Sequence, residues 1–209
     1  IVFLAGSTQE PEEQYALDIV RQLASAHPKL KLIVVPRHPQ RFDEVAALLD
    51  ASGIAWQRRS KLTPPTSGAV RPVSAAPDWR VLLIDTIGEL GAWWGTAAIG
   101  FVGGSFGSRG GQNMLEPAAY GVATCFGPNT WNFRDIVAQL LAANGAHVVQ
   151  SAEEFDQFVR QSLDSPELAR QLGERAQCLV LSQQGATRRT VELLCSLHTA
   201  PATIMRERR

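Results

Sequence analysis

The sequence predicts an α/β fold, a doubly wound parallel sheet with helices on both faces, and two observations point to it. Short apolar runs rich in β-branched residues alternate with amphipathic stretches along most of the chain, the pattern left by βαβ units. One of those runs, Ile99–Val102, breaks at paired glycines and restarts at a helix-start signature near Asn113, as a strand, a glycine-rich loop and a helix N-terminus would. At 209 residues the chain can bury about 70% of its unfolded surface, enough for one large domain or two small ones, and the expectation is a single ligand-binding domain over residues 1–209 whose part 151–200 is helical.

Taken in order, Ile1–Ala5 reads as the first strand, and the amphipathic stretch Glu12–Ala26 as a helix that stops before Pro28. Lys31–Val35 is the second strand; Phe42–Ala51 is a helix closed by Gly53. Ile54–Gln57 and Arg80–Ile84 follow as strands, separated by Ser60–Asp78, whose four prolines and lack of period predict a long surface loop. A short helix is expected near Gly88–Gly95, then the strand Ile99–Val102, a helix at Met114–Tyr120, the strand Ala123–Phe126, a helix at Phe133–Ala143 and the strand His147–Val149. Ser151-Ala-Glu-Glu154 is a capping box opening a helix to Leu163, and Ser165-Pro166 supplies a cap and a first-turn proline for another. The charged end Arg206-Glu-Arg-Arg209 reads as a solvated tail.

The bulk numbers narrow the function. Lys plus Arg equals Asp plus Glu at 20 each, so there is no basic field for nucleic acid. Cys125, Cys178 and Cys195 are odd in number and widely spaced, which indicates neither a disulfide framework nor a zinc site and suits a reducing compartment. The chain starts abruptly on an apolar run without initiator Met, signal segment or a span of about 18 apolar residues, and reads as a piece excised from something longer.

In an open parallel sheet, ligands bind beyond the carboxyl ends of the strands, and four polar clusters fall there. They are Gly6-Ser7-Thr8-Gln9-Glu10, Pro36-Arg37-His38-Pro39, Asp85-Thr86-Ile87-Gly88-Glu89 and the loop from Gly103 to Glu116. In that loop Gly103, Gly104, Gly110 and Gly111 let the backbone approach a ligand, and the first turn after Asn113 offers unpaired N–H groups: an anion cradle whose natural guest is phosphate. The competing reading is a tight strand-to-helix connection in which Asn113 and Glu116 form a capping-box-like pair. Thr86 and Glu89 likewise have capping-box spacing, and Arg37 and His38 between prolines form either a rigid exposed turn or a phosphate contact, for which arginine has the right geometry. Trp93, Trp94 and Trp131 read as packing residues before base-stacking ones. No Lys-Ser/Thr follows the glycines as a Walker A loop needs, and Ala5-Gly6-Ser7-Thr8 lacks the Gly-x-Gly-x-x-Gly of dinucleotide folds.

These residues resemble one family, the 3-deoxy-manno-octulosonic acid (Kdo) transferases of lipopolysaccharide synthesis, in the C-terminal, donor-binding half of their Rossmann-like GT-B architecture. The resemblance rests on Gly6-Ser7-Thr8 with Glu12-Glu13, Pro36-Arg37-His38-Pro39 with Arg41-Phe42, Asp85-Thr86-x-Gly88-Glu89-Leu90, Phe101-Val-Gly-Gly-Ser105, Gly110-Gly111-x-Asn113-x-Leu115-Glu116, and Gly127-Pro128 with Asn132-Phe133, in family order over about two-thirds of the chain. It departs at Gln9, where the family has His, and at Pro11, where it has Gly.

The resemblance implies a CMP-Kdo donor, no cofactor, and inverting, metal-independent transfer to a lipid A precursor. It puts Arg37 and the N–H groups of Gln112, Asn113, Met114 and Leu115 on the donor phosphate, with His38 and Gly111 beside them. Glu116 falls on the ribose, Asp85, Thr86, Gly88 and Glu89 near the cytosine, and Ser7, Thr8, Gly104 and Ser105 on the floor. The catalytic base, the acceptor site and the contact with the cytoplasmic face of the bacterial inner membrane are expected in an N-terminal half absent here, so that this piece alone is inactive in transfer. A UDP-sugar enzyme of the same architecture and a non-catalytic nucleotide-binding module are the alternatives.

Overall fold

In the computed structural model, which describes residues 1–62 and 79–199, seven strands form one all-parallel sheet. They are β1 (Val2–Thr8), β2 (Lys31–Pro36), β3 (Trp56–Arg58), β4 (Val81–Leu83), β5 (Ile99–Val102), β6 (Ala123–Phe126) and β7 (His147–Val148), in the spatial order β3-β4-β2-β1-β5-β6-β7. The helices are α1 (Glu12–Leu23), α2 (Phe42–Ala51), α3 (Leu90–Trp94), α4 (Leu115–Ala119), α5 (Arg134–Ala142), α6 (Ala152–Asp164), α7 (Pro166–Ser182) and α8 (Ala186–Thr199). Most of the expected Ser60–Asp78 loop and the charged tail lie outside the described residues.

The period-two alternation of the strands builds two cores. Phe3, Ala5, Leu32, Val34, Phe101 and Cys125 point to one face, where α1, α2 and α6 cover them with Leu17, Val20, Leu49, Phe155 and Val159. Leu4, Ile33, Leu82, Val102 and Phe126 point to the other, where Trp94, Met114, Ala118, Leu140 and Ala176 close the layer from α3, the turn before α4, α4 itself, α5 and α7. Both faces being covered, the central strands are apolar almost without interruption, as the sequence pattern required.

Three local expectations change. β1 does not stop at Ala5 but runs on to Thr8, because its register on β2 slips between Gly6 and Thr8 and Thr8 still pairs with Pro36. Ser165 makes no capping hydrogen bond, although Pro166 does open α7. At α6 the capping box is displaced: the Ser151 hydroxyl accepts from the Glu154 N–H (3.3 Å), but the Glu154 carboxylate takes the N–H of Gln150 (2.7 Å) rather than that of Ser151.

Candidate functional site

β1 lies between β2 and β5, so the chain leaves it to one side and returns on the other; the crevice beyond its carboxyl end is the place such a sheet offers a ligand. At that point the slip in β1 leaves Ser7 at φ 55°, a left-handed conformation for a residue with a Cβ, at a cost of about 1–2 kcal/mol. The bulge puts Ser7 on the wall of a cleft of about 660 Å³, shared with Arg37, Gly88, Leu90, Trp94, Gln112, Asn113, Leu115, Glu116 and Phe133. A second hollow of about 330 Å³ continues it under Arg37, His38, Pro39, Phe42, Thr86 and Ile87.

Arg37 sits at the junction of the two hollows. Its backbone N–H donates to the Thr8 carbonyl (3.0 Å), tying the end of β2 to that of β1. The side chain is exposed and makes no hydrogen bond or ion pair among the described residues. On another wall of the larger hollow, the backbone N–H groups of Gln112 and Asn113 also donate to nothing among the described residues. The Leu115 amide is occupied, by Asn113 Oδ1 (3.1 Å), while Asn113 Nδ2 donates to Glu116 Oε1 (3.2 Å); Met114 turns its side chain into the core.

The loop after β5 is only half of the cradle the glycines predict. Its first amides are filled from inside the protein: Glu12, 1% exposed, accepts from Gly104 (2.8 Å) through Oε2 and from Ser105 (2.9 Å) and Phe106 (3.1 Å) through Oε1. Oε2 also accepts from the Gln9 N–H (2.9 Å). Burial pushes the Glu12 carboxyl above its ordinary value, and the four amides pull the other way. Further along, the Gly111 N–H closes back onto the Gly104 carbonyl (2.8 Å), and Gly110 and Gly111, at φ 81° and 83°, turn the chain toward the open amides.

The rest of the loop is fastened by neighbours. Phe106 stacks on Phe101 (ring centres 5.7 Å apart) and meets Tyr15 edge-on (5.6 Å). Ser105, fully buried, donates its hydroxyl to the Val102 carbonyl and accepts from the Gly127 N–H (2.8 Å), which joins the loops after β5 and β6. From the β6 loop, Asn129 Nδ2 holds the carbonyls of Phe106 and Gly107, and Asn132 Nδ2 that of Arg109 (2.7 Å). Thr8 is buried with its hydroxyl unpartnered among the described residues, and Gly104 and Ser105 sit behind the cleft wall rather than along it.

The cluster after β4 is arranged differently from its sequence spacing. Thr86 and Glu89 form no capping box: the Thr86 hydroxyl is buried without a partner among the described residues, and the Glu89 carboxylate takes Arg59 Nε (2.9 Å) and Trp93 Nε1 (3.2 Å). Asp85 accepts from the Ser60 N–H (2.9 Å) and hydroxyl (2.6 Å); burial raises its carboxyl, but these bonds and the nearby Arg58 outweigh it and hold the group below the ordinary range. Thr86 and Gly88 thus reach the cleft, while Asp85 and Glu89 fasten the turn to the chain after β3. Trp94 packs over Gly6 and Gly100, where any Cβ would lie within 3 Å of its ring, so it is a core residue whose edge closes the cleft floor. No cluster of three or more His, Cys, Asp or Glu able to hold a metal occurs among the described residues, and no described helix is long and apolar enough to cross a membrane.

No family model matches the chain. It is 36% identical over 196 residues to a 3-deoxy-D-manno-octulosonic acid transferase of Bordetella pertussis, covering 92% of this chain and 44% of that protein. To the transferase of the same description from Haemophilus influenzae it is 34% identical, covering 92% and 43%. The chain therefore spans less than half the length of these curated relatives. Among solved structures, the C-terminal CMP-Kdo binding domain of WaaA from Acinetobacter baumannii superposes with a TM-score of 0.75 at 34% identity, over 87% of this chain and 89% of that one.

Proposed function

Because the chain belongs to the 3-deoxy-D-manno-octulosonic acid (Kdo) transferase family, we propose that it is the donor-binding part of such a glycosyltransferase and holds CMP-Kdo in the cleft beyond β1, β2 and β5. The observation that carries this reading is the meeting, in one cleft, of a guanidinium and two backbone amides that have no partner among the described residues, Arg37 with Gln112 and Asn113. Together they form a receptor for one phosphodiester.

In the transfer, the bond between the anomeric carbon of Kdo and the CMP phosphate oxygen breaks, and a hydroxyl of the lipid A precursor forms the new glycosidic bond and gives up its proton to a base. Negative charge grows on the departing phosphate, and Arg37 and the two amides are already oriented to receive it, which is the arrangement that lowers a barrier without reorganisation. We assign no base to this chain. The base, the acceptor site and the approach to the cytoplasmic membrane face belong, in this reading, to the part of the relatives that the chain does not span. Alone, the chain is expected to bind donor and transfer nothing.

Calorimetric titration of the 209-residue chain with CMP, UMP and UDP tests the reading. CMP is expected to bind at least tenfold more tightly than the uridine nucleotides. A preference for UDP would assign the cleft to a different donor class, and no heat with any of the three would leave a module without a nucleotide site.

Glu116 gives a second test. It lines the cleft and is held by Asn113 Nδ2, so it has either a ribose or only the turn to serve. Glutamine keeps an oxygen acceptor for Asn113 but loses the charge. Glu116→Gln is therefore expected to leave the melting temperature unchanged and to weaken CMP about tenfold, the worth of one charged hydrogen bond. Unchanged affinity would confine Glu116 to the turn.

A further inference from the structure

α1 opens with two adjacent carboxylates, Glu12 and Glu13, 1% and 2% exposed, where acidic residues in a first helical turn normally stand in water. Each reaches away from its own helix. Glu12 gathers four backbone amides from two loops, Gln9 after β1 and Gly104, Ser105 and Phe106 after β5. Glu13 binds Arg41 (2.5 Å), which follows the Pro36–Pro39 turn after β2 and also holds Glu44. The first turn of α1 is thereby fastened to the loops after β1, β2 and β5, three of those that border the cleft.

Four converging N–H groups at the switch point of a parallel sheet are what a bound anion meets in such folds. Here the anion is part of the chain. There is no spare room beside it: a Cβ at Gly103 would lie 2.7 Å from Glu12 Oε2 and 2.6 Å from the Ser7 carbonyl oxygen. The amides left without an acceptor among the described residues lie six to nine residues further on, at Gln112 and Asn113, in the cleft that Arg37 also lines.

We propose that Glu12 is a built-in anion that positions the donor loops: its carboxylate fills the amide nest between β1 and β5, fixes the root of the glycine loop, and directs the donor phosphate to Arg37 and the Gln112–Asn113 amides. This rests on the donor-site reading above. Glu12 touches no substrate, so it is a positioning residue that acts through the loop it holds. Both carboxyl oxygens accept from amide N–H groups, which favours the carboxylate against the burial that raises its pKa.

Two measurements test it. In amide NMR spectra of the unaltered chain, saturating CMP is expected to shift Gln112 and Asn113 strongly and to leave Gly104, Ser105 and Phe106 nearly still; equal or larger shifts at Gly104–Phe106 would mean that phosphate enters the nest, and would overturn the proposal. In calorimetry, Glu12→Gln, which turns an amide donor toward amide donors, is expected to weaken CMP at least tenfold. Glu12→Ala is expected to weaken it further and to recover affinity saturably with added formate but not chloride, whereas Arg37→Ala gains nothing from formate. CMP affinity within threefold of the unaltered chain in a folded Glu12 variant, or a loss in Glu12→Ala that formate leaves untouched, would overturn it as well. If a variant fails to fold, the NMR comparison on the unaltered chain decides. No CMP binding by the unaltered chain is a distinct result, and removes the donor site on which the proposal stands.

Discussion

Arg37→Ala, placed in a complete transferase, is expected to lower the rate of Kdo transfer from CMP-Kdo by about two to three powers of ten, the loss of about 3–4 kcal/mol that follows removal of one preoriented donor to a developing anion. The expectation is sharp because Arg37 has nothing else to do: it is exposed and its side chain has no partner among the described residues, so its removal leaves no buried group unpaired and the melting temperature stays where it was. In the chain by itself the same change is expected to weaken CMP, while cytidine, which lacks the phosphate, binds the altered and unaltered chains alike. Arg37→Lys keeps a point charge but not the two-pronged geometry, and is expected to fall between. Transfer within threefold of the unaltered enzyme would remove Arg37 from the phosphate site.

The second large effect is expected at Gly103→Ala. A methyl group there would stand 2.6 Å from the Ser7 carbonyl oxygen, 2.6 Å from Thr8 Cα and 2.7 Å from Glu12 Oε2. Two of these three atoms are backbone and cannot swing aside, so β1 and the glycine loop must separate, and the Glu12 carboxylate must leave the amides that neutralise it. A loss of about 3 kcal/mol in chemical denaturation, with CMP binding abolished, is expected. Gly107→Ala is the control: it lies in the same loop, meets nothing within 4 Å among the described residues, and is expected to alter neither stability nor binding appreciably. If Gly103→Ala behaved like Gly107→Ala, the close packing of the two loops would not be what shapes the site.

Much of this was legible beforehand, and particular residues say why. The seven strands follow from short β-branched runs, and their parallel order from the helices between them, since neither signal reaches further than a dozen or so residues. Ser151 and Pro166 mark helix starts by chemistry that is local in the same sense. Thr86 and Glu89 misled because their spacing is right for a cap, but Arg59, 30 residues away in sequence, and Trp93 compete for the same carboxylate and win it. Met114 enters the sequence reading only through its backbone N–H, and that its side chain packs in the core is a tertiary fact the loop's residues do not announce.

By itself, the order of residues determined that this is a doubly wound sheet and that its polar clusters, Ser7, Arg37, Thr86 and the run from Gly103 to Glu116, gather at one edge, because strand direction is common to all parallel strands and every cluster follows the end of one. What it left open is which of those groups remain free for a ligand. That was decided in three dimensions, where Glu12 reaches amides 92, 93 and 94 residues away and takes the first half of the cradle, leaving the Gln112 and Asn113 amides without an acceptor among the described residues in the cleft that Arg37 also lines. A buried donor must be satisfied by whatever acceptor the fold brings to it, and no pattern of near neighbours in the chain records which one that will be.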